Sequence, residues 1–140
     1  MPPTDRSRTA RHWLLPLLAL AIGVLGMTAA WLAFYVAFRS PGGWLALVAA
    51  LDMALMLRLA AAPKGQARAA LAMAGTATAI ALAYWMMAAT EMGLLLGLTP
   101  LESSQRLGPV LAGELVRHAT SGWDIAWALL ALPLAWRLAR

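Results

Sequence analysis

The length of its apolar runs most constrains what this chain can fold into. Trp13 to Phe38, Trp44 to Ala62, Ala69 to Leu98 and Trp123 to about Arg137 are almost free of charge. A helix at a water-exposed surface carries one apolar stripe and one polar face, whereas a run that is apolar on all sides needs either a large core or lipid around it. With 140 residues, 62% of them hydrophobic and 12% charged, the chain has no core large enough to take that surface; soluble domains average roughly 45–50% apolar and about 25% charged. The pattern predicts an all-α integral membrane protein: a four-transmembrane-helix bundle with a short amphipathic segment between helices three and four.

The punctuation between the runs sets the boundaries. Residues 1–12 are a basic segment with Arg6, Arg8, Arg11 and His12, followed by transmembrane helix one over 13–38 and a turn at Ser40-Pro41-Gly42-Gly43. The first run exceeds the roughly 7–15 apolar residues of a secretory signal and no Ala-x-Ala site follows it, so it is expected to be retained. Helix two, 44–62, stops at Pro63-Lys64-Gly65-Gln66, and helix three, 69–98, is long enough that it must tilt or project from the hydrocarbon. Residues 99–122 form the one sizeable polar loop. Thr99-Pro100-Leu101-Glu102 there reads as a capping box with proline in the first helical turn. Leu107, Val110, Leu111 and Leu115 recur at helical spacing opposite Arg106, Glu114 and Arg117, with Gly108-Pro109 breaking the segment in two, which predicts a helix lying on the membrane surface. Helix four, 123–138, contains Pro133, expected to kink it.

Orientation follows from the basic residues, because cytoplasmic loops carry the excess of Lys and Arg. With the N-terminus inside, Arg6, Arg8, Arg11, Arg58, Lys64, Arg68, Arg137 and Arg140 are cytoplasmic, against Arg39, Arg106 and Arg117 outside. Both termini are therefore expected in the cytoplasm of a cell bearing this multi-pass protein, most simply in a bacterial inner membrane. Trp13 and Trp136 on one side, and Trp44 and Trp123 on the other, fall where interfacial aromatic belts form.

Several chemistries are excluded by what is missing. Cys is absent, which removes disulfides, thiolate metal sites and thiol catalysis. The net charge of +5 is scattered at the ends of apolar runs without a basic motif, so no nucleic acid partner is expected. His12 and His118 lie outside the apolar runs without ligand spacing, and the methionines read as gap fillers in packing, so neither metal nor cofactor is expected. No catalytic signature, internal repeat or low-complexity tract is present.

What remains is a set of polar residues within the bilayer, each of which asks for a partner or a purpose, since an ionised side chain at the bilayer centre costs roughly 2.5–3.5 kcal/mol on insertion scales. Asp52 is the deepest, near the middle of helix two. It is a candidate proton- or cation-binding carboxylate; otherwise it hydrogen-bonds Thr28, Thr76 or Thr78 across a helix interface. Glu91, toward the outer end of helix three, is a second candidate that could join Asp52 or pair with Arg39. Asp124, at the third position of Ser121-Gly122-Trp123-Asp124, reads as a helix cap, and Arg58 as a side chain reaching for the cytoplasmic interface. Helix three also presents small residues on one face, Gly75, Thr76, Ala79 and Ala83, with Gly93 and Gly97 spaced as GxxxG near its outer end, a face suited to close helix packing.

These features predict a non-enzymatic membrane protein that oligomerises or serves as a subunit of a membrane complex, its partners being the lipid bilayer and either a second copy or another membrane protein. The alternative is a small proton- or cation-coupled transporter using Asp52 and Glu91, and after it an intramembrane enzyme.

Overall fold

A computed structural model describes residues 5–140, with side chains from Arg11 onward. The first four positions of the basic N-terminal segment, and the side chains of Arg6 and Arg8, lie outside the described residues. All elements are helices: α1 Asp5–Phe38, α2 Leu45–Leu59, α3 Gln66–Leu96, α4 Pro100–Arg106, α5 Pro109–Ala119 and α6 Gly122–Ala139. Two of them are long and apolar enough to cross a membrane, α1 through its segment Arg11–Phe38 and α3 over its whole length. Helix α1 already includes the polar residues from Asp5 to His12, so the helix starts well before the apolar run does.

Helices α2 and α3 form the middle of the bundle, each packed on the other and on both α1 and α6, whereas α1 and α6 do not touch. Alternating chain direction gives the bundle two ends. The loop end carries the α1–α2 turn, α4, α5 and the start of α6; the turn end carries the α2–α3 turn and the end of α6.

The side chains are distributed inside out relative to a soluble bundle. Ala46, Ala49, Ala50, Ala69, Ala72, Ala79, Ala83, Ala131 and Ala135 are among the most buried positions. Many leucines face outward instead, with Leu25 66% exposed on α1, Leu59 73% on α2 and Leu129 65% on α6, while Leu20 and Leu57 are buried. Small residues between helices let backbones approach, which is how helices pack when burial of large side chains brings no gain over the surroundings. Ala72, Gly75, Thr76, Ala79 and Ala83 of α3 all lie inside the chain, and a Cβ added at Gly75 would come within 2.7 Å of Leu20 on α1 and 3.2 Å of Met53 on α2. That face therefore packs against the protein's own helices.

Gly93 and Gly97 serve the corner into α4. Gly97, at φ +67°, is the left-handed C-cap of α3, with its N–H and that of Leu98 both turned back to the Gly93 carbonyl. A Cβ at Gly93 would meet the Leu98 carbonyl at 2.6 Å and Ser103 Oγ at 2.9 Å. The Thr99 box opens α4, as the residue pattern predicts: Thr99 N–H donates to Glu102 Oε2 (3.0 Å) and Glu102 N–H to Thr99 Oγ1 (3.3 Å). Glu102 is held below its usual carboxylate range, chiefly by the Thr99 backbone N–H and then by the Thr99 hydroxyl.

The break at Gly108-Pro109 also stands, since α5 begins at Pro109. The apolar stripe of this region divides, however. Leu107 and Leu115 pack with Ala88, Ala89 and Trp85 of α3, while Val110 and Leu111 point outward. Helix α6 runs unbroken through Pro133, which faces outward.

Candidate functional site

The polar side chains gather in three places. At the loop end, Glu91 on α3 faces the last turn of α1, where Tyr35 Oη donates to Glu91 Oε1 (2.6 Å) and Arg39 Nη1 lies 3.0 Å from the same oxygen. Arg39 sits just past α1 at φ +53°, its N–H bonded to the Tyr35 carbonyl, so the chain's exit from the helix presents the guanidinium to Glu91. Of the two partners open to Glu91 in the sequence, Arg39 is the one it takes. Beneath this pair, Tyr35, Tyr84 and Glu91 line a cavity of about 30 Å³ closed by Leu115 and Val116 of α5, which is the scale of one water molecule. The Tyr84 hydroxyl is buried with no hydrogen-bond partner among the described residues, and its ring meets Trp31 edge-on at 5.7 Å.

Asp124 ties the same end together. Its Oδ2 accepts from Ser121 N–H (2.8 Å) and Ser121 Oγ (2.9 Å), closing the start of α6, while Oδ1 accepts from Gly43 N–H (3.0 Å). The helix-cap role read from the spacing is thus half of its work. The other half, fastening the α1–α2 turn to α6, requires glycine at position 43: a Cβ there would lie 2.7 Å from the Asp124 Cα. Trp31, fully buried, donates its indole N–H to Pro41 O (2.7 Å) and fixes the other side of that turn.

Asp52 occupies the second place, alone. Its half-buried carboxylate faces a groove of about 290 Å³ between α1 and α2, lined by Ile22, Gly23, Gly26, Met27, Ala30 and Met56. The threonine partners expected for it are otherwise engaged. Thr28, Thr76 and Thr78 each donate to the carbonyl four residues earlier in their own helix, at 2.7, 2.8 and 2.8 Å, which satisfies a hydroxyl without any interhelical contact. Asp52 has no hydrogen bond or ion pair among the described residues. Nor does it meet Glu91. Asp52 is level with Gly23 to Met27 of α1 and Glu91 with Tyr35, a separation of roughly 12–18 Å along α1 at 1.5 Å per residue.

The third place, at the turn end, is one that sequence reasoning counted only as topology. Arg68, in the first turn of α3, is buried and spreads over three carbonyls: Nε donates to Ala139 O (2.5 Å), Nη2 to Arg140 O (2.9 Å) and Nη1 to Ala62 O (3.3 Å). Arg58, exposed, donates from Nη2 to Leu138 O, so it too ends on α6. Both cations satisfy carbonyls left open by the last turn of α6 and sit at the negative end of its dipole. Nothing in the local sequence signals this, because the α6 partners lie more than seventy residues away.

Among the described residues, no three His, Asp or Glu side chains converge as a metal site. No family model, curated protein or solved structure matches the chain.

Proposed function

We propose that this chain crosses the bilayer four times with both ends cytoplasmic, and acts as a non-enzymatic membrane subunit that joins a second copy or another membrane protein through the α1–α2 face around Asp52. The four-crossing part is supported by the outward leucines of α2 and α6, the two shorter helices. Among the described residues, twenty-four large apolar side chains are exposed. Each would gain from transfer out of water into hydrocarbon. Helix α2, at 15 residues, spans about 22 Å, so the bilayer thins beside it or the flanking Trp44 and Arg58 reach outward to the interfaces.

The observation that carries the subunit reading is Asp52 itself: a carboxylate without a partner, opening on a groove floored by Gly23 and Gly26. The small-residue face of α3 is already occupied within the chain, so association falls to this face. A helix bearing a hydrogen-bond donor at that depth would fill the groove and satisfy the carboxylate together. Because the chain lacks cysteine, single cysteines report contacts cleanly. Gly26→Cys and Ala30→Cys in native membranes should give a cross-link: a disulfide to a doubled mass on oxidation where the partner is a second copy, or a heavier adduct through a photoreactive maleimide where it is another protein. Asp52→Leu should reduce it at least severalfold. Monomer alone at both positions, with an exposed control such as Leu18→Cys behaving identically, sinks the subunit reading.

The same groove favours one second reading, a proton- or cation-coupled carrier in which Asp52 is the binding carboxylate. There, Asp52→Asn abolishes proton or cation flux in reconstituted vesicles while leaving assembly intact. A subunit whose Asp52 only receives a donor gives no flux to abolish.

A further inference from the structure

We infer that the turn end of the bundle binds the phosphate headgroup of an anionic phospholipid in a basin formed by Arg58, Lys64, Arg68 and Arg140, with an acyl chain lying in the groove between α2 and α6. The basin holds about 350 Å³ and those four cationic side chains line it. Among the described side chains, those from Arg11 onward, no Asp or Glu lies at this end. Even with the C-terminus of α6 set against them, four cations leave the basin net positive.

The four cations play different parts. Arg68 is buried with all three nitrogens on carbonyls and forms the fixed wall. Arg58 is exposed and holds Leu138 O. Lys64 and Arg140 are exposed, and their side chains have no hydrogen-bond partner among the described residues. They supply the ammonium and guanidinium donors that a phosphate takes.

A free phosphate would be served by the basin alone, but Arg58 also closes a second, smaller groove of about 60 Å³ whose other walls are Leu51, Ala54, Leu55 and Leu138. Arg58 therefore joins the cationic basin to a short apolar groove beside the outward Leu51 and Leu55 of α2. An anionic head continuous with an apolar tail matches that pairing. Basic pockets between helices on the cytoplasmic side are physically suited to such heads, each Lys or Arg near an anionic lipid contributing to retention.

The test uses the purified full chain in mild detergent with equimolar phosphatidylglycerol and phosphatidylcholine of matched chains, read by native mass spectrometry, and it does not depend on the Asp52 face. The wild type should retain phosphatidylglycerol preferentially. The double variant Lys64→Gln/Arg140→Gln should lose about thirty-fold of that preference with an unchanged melting temperature, since neither side chain holds a carbonyl. Should the double variant not fold, Lys64→Gln alone should lose about five-fold. Arg137→Gln, outside the basin, should change nothing. No preference in the wild type, an unchanged preference in the folded variant, or an equal loss in Arg137→Gln would overturn the site. Complete displacement of the lipid by millimolar glycerol phosphate would reassign it to a soluble anion and overturn the lipid.

Discussion

The two ends of the bundle solve opposite problems with opposite charges. At the loop end, carboxylates do the fastening: Asp124 holds the Gly43 turn to the start of α6, and Glu91 takes Tyr35 and Arg39. Three arginines at this end, Arg39, Arg106 and Arg117, stand against four carboxylates, Glu91, Glu102, Glu114 and Asp124, so the charges nearly balance. At the turn end, cations do the fastening, with Arg58 and Arg68 on the terminal carbonyls of α6, and among the described side chains no Asp or Glu pairs with them. Along α6 the choice follows helix polarity: its start exposes N–H groups and takes the Asp124 carboxylate, and its end exposes carbonyls and takes Arg58 and Arg68. Where carboxylate and guanidinium meet, the end is closed; where guanidinium meets only carbonyl, net charge is left over for something outside the chain.

The comparison can be broken most sharply at Arg68. Arg68→Ala should cost about 3–5 kcal/mol, since three charge-assisted bonds and a buried anchor are lost together. It should appear as a large drop in thermal stability in detergent, with Arg68→Lys recovering only part of it, because an ammonium cannot span three carbonyls. At the opposite end, Asp124→Ala removes a cap and leaves the Gly43 N–H without its partner, for about 2–3 kcal/mol in the same assay. Gly43→Ala should reproduce much of that loss by pushing Asp124 away.

Smaller effects sharpen the contrast. Glu91→Gln breaks an ion pair whose partners are 58% and 40% exposed, and solvent screening limits the loss to under about 1 kcal/mol. About 0.5 M salt should shrink the difference between wild type and variant at the loop end while leaving the Arg68 effect in place. The slightest signal is at Glu102. Its carboxyl titrates below the usual range when α4 is formed, so its stabilisation is complete above the unfolded carboxyl's pKa and lost as pH falls through the lower folded one. Amide exchange at Thr99 should accelerate only in that acidic window, and Glu102→Gln should flatten the profile.

What was legible in the sequence is what spacing alone determines. Both capping patterns, Thr99 to Glu102 and Ser121 to Asp124, are contacts three residues apart, and helix geometry fixes them wherever the helix sits. The small face of α3 was readable for the same reason. What that face packs against was not, and neither was Arg68, whose carbonyl partners are set by which helices neighbour one another. Asp52 misled in the instructive direction: three threonines stood within reach on paper, yet a threonine in a helix has its own i−4 carbonyl at hand and needs no distant carboxylate. The second bond of Asp124 was hidden because the Gly43 signal, a glycine in a turn, reads as chain reversal rather than as room for a carboxylate.

The proposed topology, with the bundle crossing the bilayer and its cationic end on the cytoplasmic side, is measurable because the chain lacks cysteine. Ser40→Cys, Lys64→Cys, Gln105→Cys and Arg137→Cys, each alone, can be exposed in intact cells to a maleimide that does not cross membranes. Four crossings predict labelling at Ser40 and Gln105, with Lys64 and Arg137 protected until the membrane is opened. Labelling of Ser40 and Lys64 together with protection of Gln105 would mean that α2 does not cross, and would contradict the account.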